Sequence, residues 1–235
     1  ASAGARIGRV VAEAPTADSV ERLLELWGDV AESNEVYAAR TWRQLRRAVR
    51  TGTHLHSPQP LRDRLVAEFG ETTFADLAVE FQCCAASIER AAEHWFTTGP
   101  VVPAVMASAA VPGLLPPAEV DGEHYLDGGI VNSIPVGRAV ALGADRVFVL
   151  QVGRVERPLS PPRRPWDVAR VSFEIARRHR FHREMADLPD GVRVHLLPSA
   201  VSAADDRFRS YRDTSAVAER VEAAYRASVE HLAGL

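Results

Sequence analysis

The chain has 235 residues, of which 46% are hydrophobic and 25% charged, and its formal net charge is −3. That balance describes a soluble globular protein large enough for one well-buried domain, and it weighs against nucleic acid as a partner, which would call for a basic excess. The longest apolar runs, such as Val101 to Leu115, are broken by prolines and a glycine, so none reaches the roughly 20 residues of a membrane-spanning helix. Cys83 and Cys84 are adjacent and would point to opposite faces of a strand. A disulfide framework is therefore not expected, and a reducing, cytoplasmic setting is.

The chain begins "ASAGARIGRVVAEAP", with neither an initiator Met nor the basic-then-apolar pattern of a signal peptide, and reads as starting inside something longer. Ala3 to Glu13 suits a short, tightly packed helix ending before Pro15. Asp18 followed by Glu21 resembles a capping box, and Val20, Leu23, Leu24, Trp27 and Val30 fall on one face of the helix that follows. Further helices are expected over Glu35 to Val49 and Leu61 to Phe69. His54 and His56, between them, form an isolated His-x-His pair better read as a surface loop than as a metal site.

Ala78 to Ser87 reads as a buried strand with "EHWFTTG" as its hairpin return. Gly99 and Pro100 open a helix through "VVPAVMASAAVPG". "EVDGEHYLDGG" then reads as two short strands around an Asp121-Gly122 turn. "PVGRAVALGADRVFVLQV" is a helix, a Gly143 cap and a strand from Arg146 to Val152, the repeating unit of layered α/β folds. A Pro- and Arg-rich connection leads to a basic amphipathic helix, Asp167 to Met185. A strand from Val192 and a closing helix, Ala216 to Leu232, complete the chain. One domain is expected, with a core over 1–153, a connection over 154–166 and C-terminal helices with a last strand over 167–235.

The stretch "HYLDGGIVNSIPV", His124 to Val136, carries the functional question. Asp-Gly is a common turn dipeptide, and a second glycine only loosens it. The same residues also suit a carboxylate held at the mouth of an active site. At the other end of the chain, "ASAGA" places Ser2 two residues before Gly4, which is the latter part of a G-x-S-x-G nucleophile elbow. The helix expected after it would direct its positive end towards a developing oxyanion. None of the eight histidines has an evident triad context, and His124 is read as a strand residue.

From the elbow onward the chain resembles the patatin-like phospholipases of bacterial type. The resemblance is carried by "ASAGA" and by "MASAAVPGLLPPAEVDGEHYLDGGIVNSIPVGRAVALGADRVFVL", which contains the family's Pro-Gly-x-x-Pro-Pro segment and Asp-Gly-Gly loop. It implies a three-layer α/β/α domain with a central, mostly parallel sheet. It also implies a Ser–Asp dyad that hydrolyses phospholipid or related carboxylic esters, with Ser2 as nucleophile and Asp127 as base. Ala3, Gly4, Gly128 and Gly129 would support the site, the last two by permitting close approach of Asp127 to the serine oxygen. No metal or cofactor is called for.

The family's upstream Gly-rich oxyanion loop and the strand before the elbow have no counterpart in these residues, so the fold is expected to be incomplete at its N-terminal side and turnover to be impaired. Arg170, Arg177, Arg178, Arg180 and Arg183, with Trp166, Phe173, Ile175 and Phe181, suggest peripheral contact with an anionic membrane. The plainer reading is a solvated surface helix. A non-catalytic α/β module that binds lipid or a protein partner is the competing reading of the whole.

Overall fold

The computed structural model describes residues 8, 10–22, 54, 56–150, 158–163, 165–199 and 217–235. They divide between two compact units, Ala1–Ser133 and Ile134–Leu235. The expected helices over Glu35 to Val49 and most of the Val20 to Val30 face lie outside the described residues.

In the first unit, residues 10–13 and 17–22 are helical. The second of these segments starts at Ala17, so Asp18 lies within its first turn and does not cap it. Buried Ser19 instead turns its hydroxyl back to the Ala14 carbonyl. Helix α1, Gln59–Phe69, has a proline in its first turn, where no N–H is needed. It ends at Gly70, whose φ of 51° is one that glycine adopts without a Cβ penalty. Helix α2, Val101–Ser108, follows Pro100 and buries six of its eight residues.

Strands β1 (Cys83–Ser87), β2 (Ala92–Phe96), β3 (Ala118–Val120) and β4 (Glu123–Asp127) form one sheet in the order β2-β1-β4-β3. Strand β1, "CCAAS", is buried at each position; its small side chains let a central strand be covered on both faces. The β3–β4 turn has Asp121 at φ 52° and Gly122 at φ 79°, both left-handed as a two-residue I′ hairpin requires. The strand expected over Ala78 to Ser87 is therefore real but shorter. Val79 instead donates to Ala12 outside the sheet, at 3.0 Å.

Beneath the sheet, Leu65 and Phe69 of α1, Val101 and Val105 of α2, Phe74 and Cys83 form the main core. A second cluster joins Ala85, Ala107 and Tyr125, with Phe96, Ala118 and Val120 packed against it. It fastens α2 to the sheet face that also carries the last residue of β4.

In the second unit, α3 (Val136–Ala141) leads through Gly143 (φ 97°) into β5 (Arg146–Leu150). Helix α4 (Pro165–Ala186), β6 (Arg193–Leu197) and α5 (Val217–Ala233) follow. Ile134, Val136, Val149 and Phe181 are its buried centre. Glu184 of α4 accepts the Gly137 N–H at 2.8 Å, which satisfies a free donor at the start of α3.

The chain is α/β, but among the described residues the expected mostly parallel central sheet is met only by the β5–β6 pair. The four-stranded sheet is antiparallel in all three of its pairings. Connection length accounts for two of these three pairings, β1–β2 and β3–β4. Residues 88–91 and 121–122 join β1 to β2 and β3 to β4, and such short links reach only an antiparallel neighbour, whereas a parallel one needs a crossover of about a dozen residues or more. The β5–β6 crossover, which contains α4, has that length.

Candidate active site

Strand β4 delivers Asp127. Alternation along the strand sets Glu123, Tyr125 and Asp127 on one face and His124 and Leu126 on the other. Asp127 pairs with Ala85 in register and is 4% exposed. Its backbone N–H donates to the Ala110 carbonyl just beyond α2, at 2.9 Å. Its carboxylate Oδ1 accepts the Gly129 N–H at 2.6 Å, capping the single 3₁₀ turn Gly128–Ile130. A backbone N–H donated to a carboxylate fixes the direction in which that group points.

The first glycine after Asp127 has a tertiary reason. A Cβ added at Gly128 would lie 2.6 Å from the Cys84 carbonyl carbon, closer still to its oxygen, and 3.2 Å from the Ala85 nitrogen. The loop therefore crosses directly over the backbone of β1, where only glycine fits. The Gly128 carbonyl then accepts both the Val131 N–H (3.1 Å) and the Asn132 N–H (2.7 Å). Buried Asn132 reaches across the sheet, its Nδ2 donating to Glu93 Oε2 on β2 at 3.3 Å. The loop that carries Asp127 is thus held by β1, β2 and its own backbone. Its dependence on Cys84, Ala110 and Glu93 had no signal in the sequence, since all three lie far from Asp127 along the chain.

Ser2, Ala3 and Gly4 lie outside the described residues. His124 is a strand residue, as expected, and faces away from Asp127. Its N–H donates to Glu89 Oε2 at 3.0 Å, and its ring Nδ1 lies 2.8 Å from Glu89 Oε1. Those two bonds, the backbone one foremost, hold the Glu89 carboxyl below its usual range. On the opposite face, Tyr125 donates to Glu123 Oε2 at 2.9 Å. Its hydroxyl is pushed up to about 12, by burial first and the Glu123 bond second.

The two free cysteines are buried. Burial pushes the Cys83 thiol up to about 12, which makes it a poor nucleophile. His54 and His56 run beside Gly113 and Leu114, the His56 N–H donating to the Leu114 carbonyl at 2.9 Å. Among the described residues no group of three or more His, Cys, Asp or Glu side chains could hold a metal ion.

In α4, Glu174 takes bonds from Arg177 (2.8 Å) and Arg178 (3.2 Å), and Glu184 takes one from Arg180 (3.0 Å). Much of the helix's positive charge is therefore matched within the helix. Val168 and Ile175, seven residues apart and so on one face, are 49% and 55% exposed. Among the described residues no helix is long and apolar enough to cross a membrane.

A family model described as patatin-like phospholipase matches residues 1–140, and the chain belongs to that family. It is similar to the lysophospholipase nte1 of Emericella nidulans, 35% identical over 88 residues. The lysophospholipases of Neurospora crassa and Phaeosphaeria nodorum are 33% and 35% identical over the same length. Each match covers 37% of this chain and 6% of the relative, so the relatives are far longer than the part they share with it.

Proposed function

We infer that the protein is a serine acyl hydrolase acting on phospholipid, lysophospholipid or a simpler carboxylic ester through a Ser2–Asp127 dyad. The observation that carries this reading is the Asp127 carboxylate, buried and aimed by the Gly129 N–H in a loop whose Gly128 admits no side chain. Family membership and the names of the relatives support it.

In the proposed reaction the Asp127 carboxylate accepts the Ser2 hydroxyl proton as Ser2 Oγ attacks the acyl carbonyl carbon. The tetrahedral intermediate expels the alcohol, which leaves with that proton, and an acyl-serine remains. Water then attacks the acyl carbon and gives its proton to Asp127. Collapse releases the fatty acid and returns the proton to Ser2. A carboxylate of ordinary pKa is a weak base towards a hydroxyl, so fixed geometry has to supply much of the rate.

A fluorophosphonate probe tests the dyad. Labelling should map to Ser2 by mass spectrometry and fall sharply in Asp127→Ala. Labelling elsewhere, or labelling of Ser2 that ignores Asp127, would refute it, and complete silence would favour a non-catalytic lipid-binding module. Peripheral membrane contact through α4, with Val168 and Ile175 facing the lipid, is part of the proposal. Sedimentation with anionic liposomes should weaken at high salt, and binding indifferent to salt would remove the role given to its arginines.

A further inference from the structure

Helix α5 turns its large apolar side chains to solvent. Val221, Tyr225, Val229 and Leu232 are 37%, 64%, 48% and 41% exposed. Steps of four, four and three residues place them in one stripe along the helix, about 16 Å long at 1.5 Å per residue. The half-buried positions, Arg220, Ala224, Ala227 and Ser228, share a different side, and the helix packs against β6. A surface helix ordinarily does the reverse, with large apolar residues against the core and small or polar ones outward. The stripe therefore has the composition of a contact face.

The charges beside the stripe indicate what it meets. Glu222 and Arg226 border it on the side away from the half-buried residues. Both are exposed, and Arg226 Nε donates to Glu222 Oε1 at 2.6 Å. The Arg226 Nη groups have no acceptor among the described residues. A second α5 laid antiparallel across the stripe, with the two-fold axis at Tyr225, sets Val221 over the partner's Val229 and Tyr225 over the partner's Tyr225. Glu222 then stands within one helical turn of the partner's Arg226, and Arg226 within one turn of the partner's Glu222, so opposite charges meet twice. A parallel pairing would put both charges beside the partner's Ala224 and the partner's Ser228 and leave them unmatched. Charges that flank an apolar helix seam set its orientation in this way.

We propose that α5 is the interface of a two-fold dimer, in which a second copy of this chain lays its own α5 antiparallel across the stripe of Val221, Tyr225, Val229 and Leu232. The same patch serves both copies, as a closed two-fold contact requires. A single helix pair is at the small end of specific interfaces, so the dissociation constant should be on the order of 100 µM. The interface is independent of the Ser2–Asp127 reading.

Sedimentation equilibrium of the full chain, at loadings about tenfold either side of that value, should show a reversible monomer–dimer transition. Val229→Glu should weaken it by about tenfold or more, because the symmetry buries each introduced charge against the partner's Val221. Glu222→Arg alone and Arg226→Glu alone should each weaken it by about tenfold at low salt, since two pairs turn repulsive together. Carrying both changes in one chain should restore the dimer. A mixture of the two single variants should form a heterodimer tighter than either makes with itself. Glu222 and Arg226 are exposed, so these charge variants keep the test independent of folding, which circular dichroism would check.

A chain that stays monomeric across the range would overturn the proposal, as would a dimer indifferent to Val229→Glu. A dimer that both single charge reversals weaken and the double variant fails to rescue would refute the antiparallel pairing. Sedimentation of the monomeric chain with liposomes, lost in Val229→Glu, would assign the stripe to a membrane surface and remove the second copy as its occupant.

Discussion

Gly128→Ala offers a sharp test of how the Asp127 loop is built. The new methyl carbon would sit 2.6 Å from the Cys84 carbonyl carbon and 3.2 Å from the Ala85 nitrogen, so the overlap is with backbone and not with a flexible side-chain end. Strand β1 has little room to yield. It is paired with β2 and β4 on its two edges and buried at each position. Overpacking of this kind typically costs about 1–3 kcal/mol, and a backbone neighbour puts this case at or above the upper end. At about 3 kcal/mol the melting temperature of a chain this long should fall by roughly 6–12 °C.

Thermal and urea unfolding by circular dichroism would measure it, with Gly122→Ala as the control. Gly122 has φ 79° and nothing within 4 Å of an added Cβ, so only backbone strain of about 1–2 kcal/mol is expected there. A Gly128→Ala protein no less stable than the Gly122→Ala one would refute the argument that close crossing over β1 sets this residue. If the loop shifts to relieve the overlap, Ser2 labelling should fall as well.

Asp127→Asn should leave an acceptor for the Gly129 N–H, so stability should change by less than about 1 kcal/mol, while ester turnover falls by about 10²–10⁴-fold; a variant retaining turnover would remove Asp127 as the base. Burial raises the Glu174 carboxyl, but the bonds and charges of Arg177 and then Arg178 outweigh it and leave the group below 4.5. Its stabilisation is therefore complete above the unfolded value of about 4.5 and is lost as pH falls through the lower folded value. Glu174→Gln should accordingly flatten the acid limb of α4 unfolding, followed by helix-resolved hydrogen exchange. Cys83 and Cys84, 2% and 6% exposed, should resist a thiol reagent at pH 8 in the native protein and react together on unfolding; rapid native modification would contradict their placement in β1.

Local chemistry was enough to place several elements. Asp121-Gly122 announced the turn between β3 and β4, because few residue pairs tolerate the positive φ values found there. The boundaries of α1, α4 and α5 followed within a few residues from prolines, glycines and apolar spacing. "HYLDGGIVNSIPV" likewise exposed Asp127 as a candidate and marked His124 as a strand residue.

Other features depend on what lies far away in sequence. Two hairpins, β1–β2 and β3–β4, and the antiparallel docking of β1 on β4 set strand direction in the four-stranded sheet, so a parallel sheet inferred from family resemblance did not describe its described strands. The requirement for glycine at Gly128 comes from the Cys84 carbonyl 44 positions earlier, and Asn132 gained its partner on β2 only when the sheet formed. Periodicity and turn chemistry act over a few residues and can be read in order along the chain. Backbone clearance and cross-sheet hydrogen bonds are set by distances in space, which tertiary structure alone decides.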